Sequence, residues 1–144
     1  MNIAQVLFFA GALPLVLLGL VHLVFTLRDQ KEPQYIVPRN ADLIESMKAE
    51  RLKLTKETDM WRAWLGFNVS HSIAVLGTGG AFLYISYQHF DILSGDPFLL
   101  WPGPVLAWVF TYLSKRFWFS RPFLGSLVSA VCFTAGAFLV TFMG

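Results

Sequence analysis

Four stretches of the chain are apolar over lengths that suit a membrane crossing, and polar segments separate them. The first runs from Ile3 to Leu27 with no Asp, Glu, Lys or Arg. The second runs from Met60 to Tyr87, with Arg62 near its start as its sole such charge. The third, Pro97 to Leu113, is uncharged but interrupted by prolines, and the fourth, Phe123 to Met143, is again uncharged. A helix needs about 20 mostly apolar residues to cross a hydrocarbon core of roughly 30 Å. The pattern predicts an all-α integral membrane four-helix bundle, one membrane domain over residues 1–144, with spans at about 3–27, 60–87, 97–113 and 123–143. The first run lacks a basic leader, exceeds the length of a signal-peptide apolar region, and has no A-x-A site before Arg28. It is therefore expected to be a retained helix.

Composition agrees. Hydrophobic residues make up 56% and charged residues 14% of the 144, against roughly 45–50% and about 25% in a soluble domain. A net charge of +2 gives no footprint for nucleic acid, which is excluded as a partner. The single cysteine, Cys132, excludes a disulfide framework, a thiol redox pair and a cysteine-rich zinc site.

The basic residues predict the orientation, because Lys and Arg accumulate on the cytoplasmic side. Eight of the eleven, Arg28, Lys31, Arg39, Lys48, Arg51, Lys53, Lys56 and Arg62, lie between or beside the first two spans. The other three, Lys115, Arg116 and Arg121, lie between the last two. Loops 28–59 and 114–121 are thus expected in the cytoplasm, with Met1, Gly144 and the loop around Asp91 and Asp96 outside. The location this implies is a bacterial inner membrane.

Within the polar segment 28–59, Pro33 and Pro38 keep the first part extended or turned. Asp42 and Glu45 then have capping-box spacing, and Ala41 to Thr58 contains good helix formers with no Pro or Gly. An amphipathic cytoplasmic helix is expected there, with Leu43, Met47 and Leu54 on its apolar face, lying on the membrane interface or docking a partner protein. Asp96 followed by Pro97 suits an N-cap and first helical position, while Trp101-Pro102-Gly103-Pro104 should disturb the third span. Small residues recur every four positions in the second span at Gly66, Ser70, Ala74 and Thr78, and cluster in the fourth from Gly125 to Gly136. Such spacing lets helices approach closely, within the bundle or against a second copy or another subunit.

One stretch carries candidate chemistry: Trp61-Arg62-Ala63-Trp64-Leu65-Gly66-Phe67-Asn68-Val69-Ser70-His71-Ser72. At about 100° per residue, Trp61, Trp64, Asn68, His71 and Ser72 share one helical face, and Arg62 falls on another flank. His71 lies roughly 17 Å into its span, and His22 about 9 Å from the end of the first. In antiparallel spans that places His22 near the level of Trp64 or Asn68, and roughly 8 Å from His71 along the membrane normal. Polar residues at such depth usually face the bundle interior. Three readings stand side by side for His22, Trp61, Arg62, Trp64, Asn68 and His71. They are an interhelical hydrogen-bond network of His22, Asn68, Ser70, His71 and Ser72, a pocket for a lipid, quinone or pigment walled by Trp61 and Trp64, and a single haem between His22 and His71.

No cofactor is required by the sequence, and no metal-ligating or catalytic set is assigned. The spans hold no Asp or Glu for proton-coupled export, and the chain has no P-loop, no H-E-x-x-H and no nucleophile elbow. Ser70, His71 and Ser72 are neighbours on one helix and cannot converge as a hydrolase triad by themselves.

At Met60 to Trp64 and Gly66 to Ser72, with Thr55 or Thr58 upstream, the chain resembles a family of small, uncharacterised bacterial membrane proteins. Their core reads T-x-x-M-W-R-A-W-x-G-F-N-x-S-H-S. Arg116-Phe117-Trp118-Phe119-Ser120 is similar to that family's aromatic-basic segment before the last span. The resemblance implies the four-span layout and carries no activity.

The expected role is non-enzymatic: a structural or accessory subunit of a homo-oligomer or larger membrane complex, in contact with membrane lipids. Its rivals are the binder of a lipid, quinone or pigment, and an inner-leaflet lipid-modifying enzyme gripping a phosphate through Arg62, Lys115, Arg116 and Arg121.

Overall fold

In hydrocarbon a helix is the local way to satisfy every backbone N–H and C=O, and the apolar runs fold accordingly. The computed structural model describes residues 1–143; Gly144, expected at the outer terminus, lies outside them. The helices are α1 (Ile3–Asp29), α2 (Ala41–Ala49), α3 (Met60–Gln88), α4 (Phe90–Gly95), α5 (Pro97–Leu100), α6 (Pro102–Phe117) and α7 (Ser120–Met143). Among the described residues no strand forms, and a lone antiparallel bridge joins Arg51 to Asp59. The protein is thus all-helical, with three helices, α1, α3 and α7, long and apolar enough to cross a membrane.

The third apolar run is divided. Asp96 caps it as its sequence suggests, its side chain accepting from the Phe98 N–H with Pro97 at the first helical position. After one turn the ladder is broken, because Pro102 and Pro104 bring no N–H. Trp101 nevertheless keeps right-handed helical angles (φ −82°, ψ −21°). Its own N–H reaches the Pro97 carbonyl at 3.1 Å, and its carbonyl receives the Val105 N–H at 3.1 Å. The interruption is therefore one of missing donors rather than of chain direction. At 16 residues, or about 24 Å, α6 by itself is shorter than α1, α3 or α7.

The chain forms two compact units. One comprises Met1–Leu18 and the chain from Val75 onward. Its centre is aromatic: the fully buried Phe8 ring lies 5.4 Å from Phe133, 6.0 Å from Phe90 and 6.5 Å from Phe82. Small residues let the helices close around these rings. A Cβ on Gly79 would stand 2.9 Å from both the Leu15 Cβ and the Val16 backbone nitrogen, so α1 and α3 touch there almost backbone to backbone. Ser126, Ser129, Ala130, Gly136 and Ala137 of α7 are buried, and Trp108 Nε1 donates to Thr134 Oγ1 at 3.0 Å between α6 and α7. Gln5 Nε2 donates to the Ser86 carbonyl at 3.0 Å near the end of α3.

The other unit, Gly19–Ala74, holds the last part of α1, the polar segment with α2, and the first part of α3. Here the expected helix Ala41–Thr58 is shorter than the sequence suggests, ending at Ala49 with Glu50 as its cap. The reason is tertiary: the Glu50 carbonyl receives the Met60 N–H at 3.0 Å, closing 50–60 into a loop. Asn40, not Asp42, occupies the N-cap, with extended angles and its side chain accepting from the Asp42 N–H. Leu54 is consequently off the helix and 94% exposed, while the residue α2 buries is Ile44.

Candidate functional site

The polar residues of the Trp61–Ser72 stretch meet His22 within the Gly19–Ala74 unit. His22 Nε2 lies 3.0 Å from Asn68 Oδ1. Asn68 Nδ2 donates to the Trp64 carbonyl one turn earlier at 2.8 Å, which fixes the amide so that its oxygen faces the imidazole. Being an acceptor, that oxygen requires a proton on His22 Nε2, so the ring nitrogen donates. Ser72 Oγ donates to the Asn68 carbonyl at 2.6 Å, and Thr26 Oγ1 to the His22 carbonyl at 2.8 Å. Asn68, Ser72 and Thr26 are buried. These side chains satisfy one another or their own helices, the usual condition for polar groups removed from water.

His22 and His71 approach edge to face, ring centroids 5.7 Å apart. This is closer than the roughly 8 Å separation that helical rise alone suggests. Helical side chains lean toward their own N-terminus. In antiparallel α1 and α3 the leans of His22 and His71 run toward each other and shorten the gap. The second face of His71 stacks on Phe67, centroids 6.0 Å apart and planes 13° apart.

The remaining candidates divide. Trp61 is buried, whereas Trp64 is 38% exposed and Phe67 63%. Trp64 Nε1 donates to the Ile36 carbonyl at 3.1 Å. Arg62 is exposed, its backbone N–H held by the Asp59 carboxylate at 2.8 Å. Along the small-residue stripe, Gly66, Ser70 and Ala74 are exposed and Thr78 is half-buried. No atom lies within 4 Å of where a Gly66 Cβ would stand. Among the described residues, no group of three or more His, Cys, Asp or Glu side chains comes together. With Nε2 of His22 carrying its proton toward Asn68, that atom presents no lone pair to an iron.

Sequence reading missed the residue that organises the end of α1. Asp29 is 1% exposed, and its carboxylate accepts three backbone N–H groups, from Gln34 and Tyr35 at 2.8 Å and Ile36 at 2.7 Å. Tyr35 then stacks on Phe25, centroids 4.6 Å apart and planes 4° apart. An Asp closing a helix a few residues before Pro33 was the available signal. Comparisons with protein-family models, curated proteins and solved structures return no match.

Proposed function

We propose that this chain is a structural or accessory membrane subunit of the bacterial inner membrane, working as a homo-oligomer or within a larger complex. In this reading it has four spans, with residues 97–117 as the third, both termini outside and loops 28–59 and 114–121 cytoplasmic. Support for the third span comes from the helical angles at Trp101, which carry α5 into α6. Support for the orientation comes from the eleven basic residues, none of which lies at the other side.

The observation that carries the role is the His22–Asn68 hydrogen bond from α1 to α3, flanked by Thr26, Asn68 and Ser72 side chains that bond back onto their own helices. Polar groups paired in this way serve helix packing. The exposed small-residue stripe on α3 leaves a close-approach face for a neighbour. Gentle detergent purification from the native host, followed by native mass spectrometry, tests this: copurifying subunits or a defined homo-oligomer are expected. A monomer with nothing attached would overturn it.

The second reading, a binder of a lipid, quinone or pigment, draws on the exposed Phe67 stacked on His71 and on the exposed Trp64 of the same helix. It requires a stoichiometric hydrophobic molecule in the same preparation, lost in His71→Ala or Trp64→Ala.

A further inference from the structure

The membrane-facing end of α1 carries a feature that the subunit reading leaves unused. A depression of about 340 Å³ lies there, lined by Arg28, Lys31, Glu32, Gln34 and Tyr35. Its Tyr35 side is held in place. The Asp29 carboxylate fixes the backbone of 34–36, and Tyr35 is pinned against Phe25. The Arg28 guanidinium lies 6.0 Å from the Tyr35 ring centroid and 3.4 Å from its hydroxyl oxygen. A guanidinium stacked in this way keeps donors for a phosphate, whose geometry it matches in bidentate fashion.

Among the lining side chains Arg28 and Lys31 outnumber Glu32, and the neighbouring Asp29 carboxylate is taken up by three backbone N–H groups, so the depression offers cationic donors to an anionic group such as a phosphodiester. Directly below, Leu20, Val21, Val24 and Leu27 are all exposed and fall with Arg28 within roughly 120° of arc on α1. An apolar strip that ends in a cationic depression has the outline of a lipid, tail along the helix and headgroup at its end. Basic pockets at helix ends on the cytoplasmic side recognise anionic headgroups by this chemistry.

We propose that this depression binds one anionic phospholipid, its phosphodiester held by Arg28 and Lys31 and an acyl chain lying along Leu20, Val21, Val24 and Leu27. The site rests on the reading of α1 as a span whose end lies at the membrane surface.

The test uses the full chain reconstituted in phosphatidylcholine vesicles containing a minority of phosphatidylglycerol. Lipid retained after transfer to detergent is counted by native mass spectrometry. Wild type retains one phosphatidylglycerol. Arg28→Gln retains about tenfold less, the loss expected for one charge-assisted bidentate contact. Lys31→Gln, changed at an exposed rim position, retains several-fold less, and Arg39→Gln outside the depression retains as much as wild type. Wild-type retention in both Arg28→Gln and Lys31→Gln would overturn the site. So would equal retention of phosphatidylcholine, or displacement of the lipid by inorganic phosphate, which would make it a site for free anions. An alkaline carbonate wash of the same vesicles separates the two claims. A chain released into the wash sinks the membrane reading itself, whereas a chain that stays without phosphatidylglycerol sinks the lipid site alone.

Discussion

The two units of this protein are held together by different physics. In the unit of Met1–Leu18 and the chain beyond Val75, the centre is a set of phenylalanine rings around Phe8, with glycine and alanine positions that let helices close on them. In Gly19–Ala74 the buried side chains include His22's partner Asn68 with Thr26, Asp29 and Ser72, and hydrogen bonds stand beside the ring contacts of Phe25 with Tyr35 and Phe67 with His71. Lipid tails are as apolar as leucine, so shape complementarity rather than the hydrophobic effect distinguishes one helix contact from another in a bilayer. Ring packing gives such complementarity in bulk. A polar cluster gives it in specific pairs, each modest in energy but intolerant of a wrong partner.

The contrast can be broken from either side. Phe8→Ala should have the largest effect, about 3–4 kcal/mol, because removing a fully buried ring opens a cavity that Phe82, Phe90 and Phe133 line. Unfolding followed by steric trapping in bicelles would measure it, and a loss under about 1 kcal/mol would show that the helices collapse around the gap. Asp29→Ala should cost about 2–3 kcal/mol, since three backbone donors lose one buried acceptor. Hydrogen exchange should locate that loss at the amides of 34–36 before anywhere else. Gly79→Ala should cost about 2 kcal/mol through overpacking against Leu15 and the Val16 backbone, whereas Gly66→Ala, with open space beyond it, should leave the isolated chain unchanged. If both glycines respond alike, the assignment of Gly79 as a contact and Gly66 as a free face fails. The smallest effect belongs to the polar pair: a double-mutant cycle over His22→Ala and Asn68→Ala should give a coupling of about 0.6 kcal/mol, the average for such bonds in membrane helices. Additive single losses would mean that the 3.0 Å contact contributes only through each residue's own packing.

Part of this arrangement was legible beforehand and part was not. The bodies of α1, α3 and α7 follow from the uncharged runs, although α1 continues through Arg28 and Asp29 and α7 begins at Ser120, ahead of Arg121 and of the expected Phe123, because a helix tolerates charges in its terminal turns; the Asp96–Pro97 start of α5 follows from cap chemistry that acts over two residues. Helical rise alone puts His22 near the level of Trp64 or Asn68, since antiparallel spans of similar length share a ruler, and the structure selects Asn68. The approach of His22 to His71 was underestimated because rise locates Cα atoms and not the lean of side chains. The end of α2 was out of reach for a different reason. Residues 50–58 are good helix formers, and what stops the helix at Ala49 is a hydrogen bond from Met60 back to Glu50, a contact that propensity does not contain. The Asp29 clamp lies within seven residues of sequence, and its one signal, an Asp closing a helix shortly before Pro33, does not by itself show that the carboxylate is buried.

Ile36 shows what that clamp does mechanically. Its N–H is tied to Asp29 at the end of α1, and its carbonyl to the Trp64 indole near the start of α3. A single residue thus grips two helices by its two backbone groups. Tension arriving through Pro38 from the polar segment is shared between α1 and α3 at that point, before it can pull either one alone. The seven residues after α1 are thereby anchored at their far end to both helices through Ile36.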